Sequence, residues 1–157
     1  MQYSLDTIDL TILSSLQPDA RLQNTVLAKK TGMAPSAVLE RVKKLEQKGI
    51  IKAYTTRIDP AALNLKLLAF IFIKSNKRPG DTSIAKQIAK IPEVLEVHHI
   101  AGEDCFLVKI RTQDAQSLLQ LMREKFGKIP NITSTKTTIV LDTSKEDNYL
   151  PIPKSLI

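Results

Sequence analysis

Ser36, Ala37, Glu40, Arg41, Lys43 and Lys44, followed by Lys48 and Lys52, are the residues of this chain best able to do chemistry. Between them Val38, Val42 and Leu45 recur at helical spacing, so one helix would bury an apolar stripe and turn a polar, cationic face outward. Ammonium groups along a rigid rod suit a row of phosphates, while Ser, Glu and Arg can hydrogen-bond to base edges in a major groove. An ordinary helical hairpin with a solvated basic face would carry the same residue types. The charge distribution separates the two readings. From Arg21 to Arg57 nine Lys and Arg stand against Glu40 and Glu46, which accounts for the whole formal charge of +7. The remainder of the chain balances to zero, so a polyanionic partner, double-stranded DNA, is expected at this segment.

Other reactive groups are sparse. His98 and His99 are neighbours on an expected strand, so they point to opposite faces and cannot chelate one metal together. Cys105, on a mostly apolar strand, reads as a small core residue, and no base stands beside it in sequence. Thr133, Thr135, Thr137 and Thr138 are ordinary strand composition and only a hint of a polar ligand wall. Phosphate-binding glycine loops, zinc-ligand spacings and nucleophile elbows do not appear, so no cofactor, metal or catalysis is expected. A single cysteine excludes an internal disulfide and suits a reducing cytoplasm. With no long apolar run and no signal-peptide layout at MQYSLDTID, no membrane partner is expected.

Positioning the basic face requires three helices. Asp6 is placed to cap the first, roughly Asp6 to Gln17, whose inner residues are Ile8, Ile12, Leu13 and Leu16; Pro18 ends it. In NTVLAKKTGMAPSAVLERVKKLEQKG, Gly32 suits a left-handed helix end and Pro35 a first helical position. A short helix, a tight turn and a longer basic helix form the helix-turn-helix plan. IIKAYTTRID then reads as β-rich and would supply a wing. Beyond Asp59-Pro60 the period changes. LLAFIFI predicts a strand covered on both faces, and a helix from Thr82 to Lys90 follows. Val94–Ala101 and Cys105–Arg111 predict a hairpin turning at Gly102-Glu103-Asp104. A helix over Ala115–Phe126 closed by Gly127 and a strand over Ile132–Leu141 complete β-α-β-β-α-β, the ferredoxin-like plan. Its helices cover one face of the sheet. The other face therefore needs a partner, most simply a second copy of the chain.

Three stretches, LDTIDLTIL, ARLQNTVLAKKTGMAPSAVLERVKKLEQKGIIKAYTTRIDP and PEVLEVHHIAGEDCFLVKI, resemble the Lrp/AsnC family of prokaryotic transcriptional regulators over nearly the whole chain. The resemblance implies an α+β protein. A winged helix-turn-helix with its hinge strand would occupy residues 1–60, a ferredoxin-like βαββαβ regulatory domain 61–142, and a tail 143–157. It also implies dimers pairing through their sheets, even-numbered rings such as octamers, and an amino acid or related metabolite as effector. The effector would lie at His99, Ala101, Gly102, Glu103 and Asp104, between dimers.

The chain departs from the family pattern at three positions. Ala34 replaces the usual serine cap of the recognition helix, and Asn64 stands where glycine is usual. Cys105 takes the place of the hairpin aspartate, with Asp104 one residue earlier and so on the opposite strand face. Other functions share parts of this pattern. A ferredoxin-like sheet can bind RNA by stacking, although the strand with Phe106 lacks the glycine-aromatic signature of that mode. Tetrapyrrole decarboxylases resemble this two-domain plan, with His98, His99 and Arg111 as candidate site residues. An architectural DNA binder without any effector is the third alternative.

Overall fold

A helix needs acceptors for its first N–H groups, and Asp6 supplies one. In the computed structural model, which describes residues 4–78, 80–102 and 105–152, helix α1 spans Thr7–Leu16 with a reciprocal capping box at its start. The Asp9 N–H donates to Asp6 Oδ1 at 2.8 Å, and the Asp6 N–H donates to Asp9 Oδ2 at 3.4 Å. Helix α2 runs Asn24–Thr31 and ends at Gly32, whose φ of +68° is open to glycine at no steric cost. Helix α3, Pro35–Gln47, starts from Ala34 with no side-chain cap, and its own proline presets the first turn. Ile12, Leu27, Ala28, Val38, Val42 and Leu45 meet in one core, with Met33, Ile50 and Ile51 packed against it.

The chain divides into two units. Residues up to Arg57 and those from Lys145 onward form one, and Ile58–Ser144 the other. The second unit opens with a 3₁₀ turn, Pro60–Leu63, closed by Asn64 at φ +57°, a conformation asparagine tolerates. Then follow β1 (Leu67–Ser75), α4 (Ser83–Ile88), β2 (Val94–His99), β3 (Phe106–Thr112), α5 (Ala115–Glu124) and β4 (Ile132–Ile139). The sheet order is β2-β3-β1-β4, every neighbouring pair antiparallel. This is the ferredoxin-like arrangement expected from the order of periods. Ala69, Ile71 and Ile73 of β1 and Phe106, Val108 and Ile110 of β3 face the helices. Ile84, Ile88, Ile91, Leu118, Leu121 and Phe126 fill the same core from the helical side. Phe70 and Phe72 belong to the other face and are only half-buried.

Several boundaries differ from expectation. The segment Lys52 to Asp59 carries no strand, so the strand expected from IIKAYTTRID is irregular chain. A strand forms only against a paired backbone, and among the described residues this β-rich segment pairs with no other strand. Helix α5 stops at Glu124, and Phe126–Lys128 form a separate 3₁₀ turn. Gly127 therefore does not close the helix; Asn131, at φ +71°, is the left-handed residue before β4. Helix α4 and strand β4 are each shorter than their patterns suggested, ending at Ile88 and Ile139. Among the described residues no helix is long and apolar enough to cross a membrane.

Candidate functional site

Helix α3 turns its buried stripe inward and leaves Ser36, Glu40, Lys43, Lys44 and Lys48 exposed, with Ala37 half-buried beside them. Lys52 follows on exposed chain. Lys43 Nζ lies 3.7 Å from Glu40 Oε1, a solvated pair one helical turn apart that contributes little to stability and leaves the lysine able to exchange partners. Lys48 sits at the C-cap of α3, where the negative end of the helix dipole suits a cation. Small residues at the start of the helix and lysines along it fit a groove between two phosphate rows. Glu40 adds an acceptor that a cytosine amine could use.

Arg41 is the exception. Expected among the groups that face DNA, its guanidinium instead closes on α1, at 2.6 Å from Asp6 Oδ2 and 2.8 Å from Asp9 Oδ1. Its position on α3 lies at the border of the buried stripe, so the side chain reaches the neighbouring helix. The carboxyl of Asp6 is held below its ordinary value of 3.8, mainly by the Asp9 backbone N–H and further by Arg41. Arg41 is thus a positioning residue that ties the recognition helix to the start of α1. Arg41→Ala should destabilise the first unit by about 1 kcal/mol at pH 7, the scale of a half-exposed charge-assisted contact. A depressed carboxyl stabilises above its ordinary pKa and loses that effect as pH falls through the lowered one. The difference between wild type and variant should therefore shrink below pH 3.8, as melting curves would register. A variant equally deficient in acid would point to some other cause.

From the sequence Asp6 reads only as a cap, and the pairing of Asp6 and Asp9 with Arg41 is not visible there. Tyr54 was also missed. Its hydroxyl donates to Glu46 Oε1 at 2.8 Å, tying the irregular segment after α3 back to that helix. Desolvation, and then the Glu46 carboxylate, push the phenol up to about 12.

The hairpin residues lie in the second unit. His99 is exposed with its ring 5.0 Å from that of Phe106, and Ala101 and Gly102 are exposed at the turn. Gly102 has φ +133°, which side chains rarely adopt. Glu103 and Asp104 lie outside the described residues. Cys105 is half-buried against the core, its Sγ 3.7 Å from the Ser75 carbonyl oxygen, as a small core residue would be. His98 does not join His99. It bonds Glu96 Oε2 at 3.1 Å on the opposite sheet face, where Lys109 Nζ lies 3.2 Å from Glu96 Oε1. Those two contacts, His98 first, hold the Glu96 carboxyl below its usual range. Arg111 reaches the Leu65 carbonyl oxygen at 3.5 Å. Among the described residues no cluster of three His, Cys, Asp or Glu could hold a metal.

Comparison with known proteins bears on both units. A model of the winged helix-turn-helix DNA-binding family matches residues 5–52, and that of the Lrp/AsnC ligand binding domain matches residues 68–150. HTH-type transcriptional regulator FL11 of Pyrococcus horikoshii is 40% identical over 97% of this chain and 99% of its own length. The leucine-responsive regulatory protein of Escherichia coli is 35% identical over 94% of this chain and 92% of its own. A transcriptional regulator from Neisseria meningitidis, solved as a complex with L-methionine, superposes with a TM-score of 0.89 at 28% identity. That match covers 98% of this chain and 99% of the other.

Proposed function

This chain belongs to the Lrp/AsnC family of transcriptional regulators, and on that premise we propose that it binds operator DNA as a symmetric oligomer tuned by an amino acid. The observation that carries the reading is the exposed face of α3. Ser36, Glu40, Lys43, Lys44 and Lys48 stand clear of a closed three-helix core, with Ala37 half-buried beside them, in the segment that holds the whole net charge. Ser36, Ala37 and Glu40 would meet base edges, and Lys43, Lys44, Lys48 and Lys52 the phosphates. Its action would be binding rather than catalysis, in the cytoplasm where the chromosome is.

Two copies would pair through the sheet face that bears Phe70 and Phe72, and dimers would assemble into an octamer or another even ring. An amino-acid effector would sit near His99, Ala101, Gly102, Glu103 and Asp104. The complex of the Neisseria relative with L-methionine supports that ligand class. Gly102 admits close backbone approach, and a neighbouring carboxylate could pair with the ligand's amino group.

The test is a selection of fragments from the native genome with purified protein, repeated with each common amino acid. The expected result is a defined set of fragments sharing a pseudo-palindrome, with half-sites one helical turn or its multiples apart. At least one amino acid should alter their recovery, by acting unequally on two assembly states. Recovery no better than competitor DNA would overturn the regulator reading. Recovery indifferent to every amino acid would remove the effector from it.

A further inference from the structure

The chain leaves the DNA-binding unit at Arg57 and re-enters it at Lys145, so the regulatory unit is connected to it by two covalent links. The second link is short. Val140 still donates its N–H to the Leu68 carbonyl at the end of the sheet, which leaves only 141–144 before the chain rejoins the first unit. At the crossing, Arg57 Nη2 and Glu146 Oε2 lie 4.0 Å apart. Further on, both backbone polar groups of Leu150 are taken by one side chain. The Leu150 N–H donates to Gln17 Oε1 at 2.6 Å, and Gln17 Nε2 donates to the Leu150 carbonyl at 3.1 Å. A primary amide that pairs in this way imitates a neighbouring strand. Leu150 is 76% exposed as a residue, and both hydrogen bonds run to its backbone, so the backbone is what Gln17 holds.

Gln17 is the C-cap of α1, whose N–H bonds back to the Leu13 carbonyl. At the other end of the same helix Asp6 and Asp9 grip Arg41 of the recognition helix. We propose that the segment from Lys145 to Ile152 is a strap that, docked on Gln17, holds α1 and through it the recognition helix in its DNA-reading orientation. Rigid helices transmit displacement along their length, and α1 has a specific grip at each end. Release of the strap is then a two-state event that a change in the regulatory unit, arriving through the end of β4, can bias. The proposal rests on the DNA-binding reading above and adds a route by which the regulatory unit reaches it.

Two full-length variants test it. Gln17→Leu removes both hydrogen bonds at similar volume. Leu150→Pro removes the donated N–H from the other side, at a position with an exposed side chain. Each should make amide exchange faster in the last turn of α1 and in α3, and each should weaken operator binding about five- to tenfold. The salt dependence should stay unchanged, because the phosphate contacts are untouched. The double variant should be no worse than either single one, as expected for two halves of one contact. Gln17→Glu, which keeps the acceptor and loses the donor, should fall between. Exchange in α3 that both substitutions leave at the wild-type rate would overturn the strap, whatever happens to DNA binding. A wild-type protein that binds no DNA would sink the regulator reading instead, and the exchange measurement would still decide the strap.

Discussion

Replacing Lys43 and Lys44 together by glutamate is expected to lower operator affinity by roughly 100- to 1000-fold at low salt, with no change in melting temperature. Both side chains are exposed on α3 and neither touches the core of that unit, so the fold loses nothing but a solvated pair with Glu40. On DNA each would neutralise a phosphate, and each released counterion contributes about −0.9 to the slope of log affinity against log salt. Wild type should therefore weaken steeply as salt rises, and the variant should show a slope shallower by about two for each bound protomer. Reversal adds repulsion to the lost attraction, which is why the loss exceeds that of alanine at the same positions. Ser36→Ala or Glu40→Gln should behave differently, with modest loss on the preferred site and little on random DNA. A double glutamate variant that binds like wild type would move the interface off this face of α3.

The contrast between Arg41 and its neighbours marks where sequence reading ran out. Periodicity identified α3, its buried stripe and its exposed lysines, because a 3.6-residue repeat fixes which way each side chain leaves the helix axis. It could not tell which flanking cation faces solvent and which faces another helix. That depends on how α1 crosses α3, a tertiary fact no local pattern encodes. The same holds for Gln17 and Leu150, 133 residues apart and meeting through backbone atoms that carry no sequence signature. The order of strands and helices in the second unit was legible because periods of two and of 3.6 residues alternate along the chain. The strand expected after α3 was misread for the complementary reason. Its residues favour a strand, but a strand is a property of a pair, and composition names only one partner. At the hairpin, Gly102 was readable as a turn residue, and its φ of +133° is one that glycine adopts freely.

The open face of the sheet provides the second large effect, since the proposed dimer through that face would place Phe70 and Phe72 within its interface. Phe72 pairs across the strands with Leu107 on one side and Lys136 on the other, and Lys136 Nζ lies 4.8 Å from its ring centroid. Neither phenylalanine is part of the core under the helices, so changing them should spare the fold of one chain. Stacked sheets approach to about 10 Å, too close for water to solvate a charge introduced at the centre. A glutamate at position 72 could still pair with Lys136 within its own chain, so lysine is the sharper choice. Phe72→Lys sets like charges side by side and removes an aromatic anchor. An uncompensated buried charge of this kind costs about 3–5 kcal/mol, enough to weaken a dimer by roughly two to four orders of magnitude. Light scattering at micromolar concentration should show an even oligomer for wild type and a monomer for the variant. DNA affinity should fall with it although the substitution lies in the regulatory unit, because two linked reading heads become two independent ones. Wild type that scatters as a monomer, or a variant that keeps its assembly, would mean that something other than a second copy covers the phenylalanines.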